Sequence, residues 1–122
     1  MSQHQPEIER SKQNLAGAGV LLAAGFFDQS LSRSYYAAFY AVRASLVSVG
    51  ISRKTHSGMI SAFTRLMREQ GVDPSIPKSL RRLFQARVTA DYGPGQTPRR
   101  HAAAGLADAE RLVDAVEEWL GR

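Results

Sequence analysis

The chain has 122 residues, 43% of them hydrophobic and 22% charged, which suits one soluble domain with a single core and argues against disorder. Cysteine is absent, which excludes a disulfide framework and thiolate chemistry. The formal charge of +5 is uneven: residues 33–100 carry twelve Lys/Arg against three Asp/Glu, whereas residues 1–32 total −1 and residues 101–122 total −3.

A basic middle between mildly acidic ends implies a positive face, to which RNA, DNA or an acidic protein would respond. A solvated basic surface with no partner accounts for it as well. His4, His56 and His101 are too scattered for a recognisable metal site, so neither a metal nor a cofactor is expected. The longest apolar run, Ala16 to Phe27, contains three glycines and is too short to span a bilayer. The first seven residues lack the basic region and apolar core of a secretory signal. A cytoplasmic protein without membrane contact is therefore expected.

Helical periodicity runs through nearly the whole chain and no sustained strand alternation occurs. The first helix is expected from about Pro6 to Gly25, with Pro6 in its first turn and Glu7 and Glu9 at the end favoured by the helix dipole. Ile8, Leu15, Leu22 and Phe26 give it an apolar stripe, and Gly17, Ala18 and Gly19 leave room for a neighbouring backbone. The second helix starts near Asp28 to Ser30, with Asp28 as the N-cap, and runs to Val49 before Gly50 stops it. Its core stripe is Tyr35, Phe39, Val42, Leu46 and Val49, while Ala37, Ala38, Ala41 and Ala44 make its other faces thin. Arg33, Tyr36, Tyr40 and Arg43 form a second stripe, readable as a polynucleotide surface or as a protein interface.

The third helix extends from His56 to Gln70, capped by Thr55 and stopped by Gly71, with Met59 or Ile60, Phe63, Leu66 and Met67 inward. After the turn at residues 72–77 the fourth helix runs from Pro77 to Asp91, with Leu80, Leu83, Phe84 and Val88 inward and Arg81 and Arg82 on other faces. The segment from Gly93 to Pro98 breaks it. Thr97 then caps a fifth helix, with Pro98 at its first position, that continues through Leu106, Ala109, Val113 and Val116 to Leu120. Five helical segments with short connections make residues 1–122 a single all-α bundle.

Three local patterns occur in order: Ser32-Arg-Ser-Tyr-Tyr-Ala-Ala-Phe-Tyr-Ala-Val-Arg-Ala44, then Lys54-Thr-His-Ser-Gly58, then Leu83-Phe-Gln-Ala-Arg-Val-Thr-Ala-Asp-Tyr92. A final acidic helix ends in Glu117-Glu-Trp-Leu120. Taken together they resemble the HEPN domain (higher eukaryotes and prokaryotes nucleotide-binding), and within it the small stand-alone prokaryotic proteins. The resemblance spans roughly Ile8 to Leu120. It implies a four-to-five-helix bundle, a homodimer, and often a partnership with a minimal nucleotidyltransferase as the toxin of a toxin–antitoxin pair. Many members are metal-independent endoribonucleases whose arginine and histidine stand a short helical step apart at a dimer cleft.

Arg87 matches the arginine of that motif. Cleavage by a ribose 2′-OH builds negative charge on phosphorus, and a guanidinium can contact two of its oxygens at once. Pairing of Arg87 with Asp91, four residues on, is the plain structural alternative. The place of the motif histidine falls at Tyr92. A phenol of ordinary pKa near ~10 is a poor base at neutral pH but can donate a hydrogen bond or stack on a nucleobase. His101, following Arg99 and Arg100 in the first turn of the fifth helix, is a candidate replacement if the loop returns it towards Arg87 and Tyr92. His56 is expected to serve capping or packing. Arg81, Arg82, Arg99 and Arg100 are candidate phosphate contacts. In the paired systems a tyrosine two residues beyond the histidine can be adenylylated, and that position is Pro94 here.

Three functions follow. One is a HEPN module, half of a nucleotidyltransferase pair, that binds nucleic acid or nucleotide at a dimer cleft around Arg87 without cutting it. Another is an active metal-independent endoribonuclease. The third is a purely structural dimeric bundle.

Overall fold

The computed structural model describes residues 4–93 and 95–122, with the Tyr92 side chain outside the described set. It is an all-α bundle of five helices: α1 (Gln5–Ala23), α2 (Phe27–Ser48), α3 (His56–Glu69), α4 (Ser75–Tyr92) and α5 (Arg99–Leu120). No strand occurs among the described residues, and no helix there is long and apolar enough to cross a membrane.

The central member is α2, which packs against all four others. Its composition permits this. Ala37, Ala38, Ala41 and Ala44 are fully buried, so neighbours approach on several faces, while Leu31, Tyr35, Val42 and Leu46 fill the space between them. On one side lie α1 and α5; on another α3 and α4 close the bundle. Phe63, Met67, Leu80, Leu83, Leu112, Val113 and Val116 complete one continuous core.

Three of the connections share one device. At Gly25, Gly50 and Gly71 the backbone turns to positive φ, and the amides of the glycine and of the next residue bond back to carbonyls of the last helical turns, as in Gly50 N to Val47 O at 3.1 Å and Ile51 N to Leu46 O at 2.9 Å. Thr55 caps α3 as its sequence suggests, its hydroxyl accepting from Gly58 N at 2.9 Å.

Five local expectations change. α2 begins at Phe27, two residues earlier than an Asp28 cap would allow, and the Asp28 carboxylate instead accepts from Thr97 N at 3.0 Å, pinning the loop before α5. Thr97 therefore does not cap α5, whose N-cap is Pro98. α4 starts at Ser75, because Asp73 accepts from the Ser75 amide and completes a turn that Pro77 tolerates in the first helical positions. The apolar stripe of α1 is only partly used. Ile8 is buried and Leu15 half-buried, but Phe26 is 55% exposed, and so is Val49 of the α2 stripe at 45%. In the small-residue run, Ala18 rather than the glycines makes the close approach. It is fully buried and its carbonyl accepts from Ser30 Oγ at 2.8 Å, whereas Gly17 and Gly19 face open space.

Gly105 is where a glycine is required by packing. A Cβ there would sit 2.6 Å from Leu31 Cδ1 and 3.5 Å from Leu83 Cδ2, both in the core. Gly105→Ala gains about 1 kcal/mol of helix propensity and loses about 1–3 kcal/mol to overpacking. Thermal unfolding is expected to show a net decrease in stability; an increase would mean that Leu31 has a free alternative rotamer.

Candidate functional site

Where α2 meets α3 and α4, four aromatic rings and one guanidinium converge. Tyr35 stands at the centre, 1% exposed, with its ring 5.9 Å from Phe84 of α4, 6.2 Å from Phe39 and 5.7 Å from His56. Its hydroxyl lies 2.7 Å from Nδ1 of His56, the first residue of α3. The Thr55 cap fixes the start of α3 and so holds the imidazole against Tyr35 and, at 4.7 Å between ring centroids, Phe39.

Arg87 enters this cluster from α4. Its guanidinium carbon lies 5.2 Å from the Tyr35 ring and 5.1 Å from the Tyr36 ring, and only 24% of the side chain is exposed. Arg33 also lies over the Tyr36 ring, at 5.1 Å, and bonds to Asn14 Oδ1. Arg87 also pairs with Asp91, but at 3.6 Å the contact is too long for a hydrogen bond, and the buried Nε–H has no acceptor among the described residues. An unmet donor in a half-buried guanidinium is costly unless an acceptor arrives from outside.

The electrostatics reinforce the arrangement. Burial pushes the Tyr35 phenol up to about 12, partly offset by Arg87, so it stays a neutral hydroxyl. Burial, and secondarily the Arg87 charge, lower the His56 imidazole below its ordinary 6.5, which keeps it neutral at physiological pH. The signs differ for stability. The Tyr35 contribution is intact below pH ~10 and is lost as pH rises towards 12. The His56 contribution is intact above pH ~6.5 and declines as pH falls below it, where the unfolded state takes up the proton first. An alkaline titration of phenolate absorbance should therefore show one tyrosine ionising near 12, and Tyr35→Phe should remove that late step. Retention of the step in the variant would assign it to another ring.

The other sequence candidates are placed as follows. Tyr92 is the last residue of α4; its side chain, like Pro94, lies outside the described residues. His101 is exposed and lines two pockets with Ala86, on the side of α4 that faces α5, and no described contact joins it to Arg87. Arg82 is bidentate to Asp108 at 3.0 and 3.1 Å, so its charge is matched. Arg81 rims an apolar groove of about 560 Å³ between α3 and α4, together with Arg68 and Lys78. Arg99 stacks on Phe27 at 4.9 Å, and Arg100 is exposed. The stripe on α2 divides: Arg33 and Tyr36 join Arg87, Tyr40 meets Arg10 of α1 at 5.6 Å, and Arg43 lines a pocket beside His56. Among the described residues no group of three His, Asp or Glu is placed to hold a metal.

The meeting of Tyr35 and His56 was not legible in the sequence. Tyr35 carries the signature of a core residue and is one; nothing in its spacing shows that its hydroxyl meets the residue after the α3 cap.

The comparisons with known proteins agree with this architecture. A family model described as the HEPN domain matches residues 7–119. A UPF0332 protein of Gloeobacter violaceus is 34% identical over 98% of both chains. One from Thermotoga maritima is 33% identical over 91% of this chain and 86% of its own. A Methanocaldococcus jannaschii protein named as a candidate toxin is 26% identical over 95% of this chain and 87% of its own. With the match covering nearly its whole length, the chain belongs to the HEPN domain family.

Proposed function

We propose that this protein is the HEPN half of a toxin–antitoxin-like pair and binds single-stranded RNA, or a nucleotide from it, at the cluster of Arg87, Tyr35, Tyr36 and His56. The single observation that carries the reading is Arg87: a mostly buried guanidinium, stacked on two tyrosines, with a hydrogen-bond donor left unmet. A phosphate oxygen is the acceptor such a fork suits best, and the half-buried rings of Tyr36 and His56 beside it suit nucleobases. The toxin side of the reading is supported by the names of the Methanocaldococcus relatives. A homodimer bringing two such clusters together in the cytoplasm, with a small nucleotidyltransferase as partner, completes it.

A specific observation favours the endoribonuclease as a second reading. The Tyr35–His56 pair places a neutral imidazole one ring away from Arg87; in the tautomer whose Nδ1–H donates to the Tyr35 oxygen, Nε2 is a proton acceptor although Tyr92 replaces the motif histidine. One experiment addresses both. A fluorescent single-stranded RNA is titrated with purified protein at low salt and with a chelator present, and the RNA is then sized on a gel. Binding with the RNA intact is the expected result; binding with cleavage would establish the second reading. No binding at low salt, where phosphate contacts are strongest, would refute both.

A further inference from the structure

A second pocket of about 310 Å³ opens on the far side of the His56 and Phe39 rings, between α2 and the start of α3. Arg43, Arg53 and Lys54 stand on it, with Met59 and Phe39 among its apolar walls, and no acidic side chain lines it. All three cations are exposed, and none is in an ion pair among the described residues. The contrast with Arg82, matched bidentately by Asp108, is direct. Three unmatched cations converging on one small cleft repel one another, and an anion relieves that repulsion.

The two sites are contiguous. Arg87 lies 5.2 Å from the Tyr35 ring, Tyr35 is 5.7 Å from His56, and the His56 ring is itself part of the pocket wall. We propose that this pocket is a phosphodiester subsite, in which Arg43, Arg53 and Lys54 hold a phosphate of the same single-stranded RNA whose neighbouring nucleotide sits at Arg87. Phe39 and His56 form the shared partition and offer one ring surface to each side. The proposal rests on the RNA-binding reading and adds the direction of the strand: along α2 from Arg87 onto the α2–α3 loop, rather than over Arg99 and Arg100 at the start of α5.

The test compares four proteins: wild type, Arg87→Ala, Arg53→Glu/Lys54→Glu, and the control Arg68→Glu/Lys78→Glu on the α3–α4 groove. The last two carry the same change in net charge, and all four substituted residues in them are exposed, so both variants should fold. Labelled single-stranded RNA and adenosine 3′-monophosphate are titrated over a range of salt. The pocket variant should bind RNA about tenfold or more weakly, with a log–log salt slope shallower by about 0.7, the value for one lost phosphate contact on a single strand. Its mononucleotide affinity should be close to wild type, because that ligand needs only Arg87. Wild-type RNA affinity in the pocket variant, with loss in Arg87→Ala, would overturn the subsite and leave the Arg87 reading standing. Equal losses in the pocket and control variants would reduce the effect to bulk charge and overturn it as well. RNA affinity unaffected by every variant would overturn both.

Discussion

Phe63→Ala should lower the unfolding free energy by about 3–5 kcal/mol, seen as a lower urea midpoint with an unchanged slope. Phe63 is fully buried on α3, which among the described residues packs against α2 and α4. The helices it packs against, α2 and α4, are both held by packing on α5 as well. They cannot collapse into the space a missing ring leaves, so the loss includes the cavity as well as the transfer term. For a domain whose total stability is of the order of 5–15 kcal/mol, that is about a fifth or more. The site would feel it too, since α3 carries His56. A loss below about 1 kcal/mol would mean that α3 packs less tightly than its buried face indicates.

Arg87→Ala should weaken binding of single-stranded RNA by about 10- to 100-fold, the range of one charge-assisted contact of roughly 1.5–3 kcal/mol. Arg87→Lys should recover only part of it. A lysine keeps the charge but cannot lie flat on Tyr35 and Tyr36 while presenting a fork to a phosphate. Stability should change far less than affinity. The folded state loses two cation–π contacts worth about 0.5–1 kcal/mol each and a long ion pair to Asp91, but it also loses an unmet buried donor. Thermal unfolding of both variants separates the two effects. Full RNA affinity in Arg87→Ala, with normal folding, would remove Arg87 from the site.

Much of the fold is legible in the sequence because each helix announces its own ends. Thr55 before His56, and Gly25, Gly50 and Gly71 after apolar runs, mark boundaries through purely local bonding. The misplaced boundaries are those where a polar side chain serves a distant segment. Asp28 looks like a cap, yet its carboxylate is taken by the Thr97 amide 69 residues away. Arg87 is legible as a candidate through its motif, but its surroundings are not. Tyr35 and His56 are 21 residues apart and meet only because α3 folds back across α2. Likewise the pairing of Arg82 with Asp108, which matches the charge of a candidate phosphate contact, spans 26 residues. Charge counted along a chain cannot distinguish a matched arginine from an unmatched one.

The three histidines provide the most direct measurement of where a ligand binds, because each reports on a different part of the molecule. His4 precedes α1, His56 belongs to the Arg87 cluster, and His101 faces the α4–α5 pockets. Their ring signals can be followed by NMR as adenosine 3′-monophosphate is added. The account predicts that the His56 signals move with saturation while those of His4 and His101 stay in place, and that Arg87→Ala abolishes the movement. Saturable shifts at His101 with none at His56 would put the ligand at the start of α5 and contradict the account.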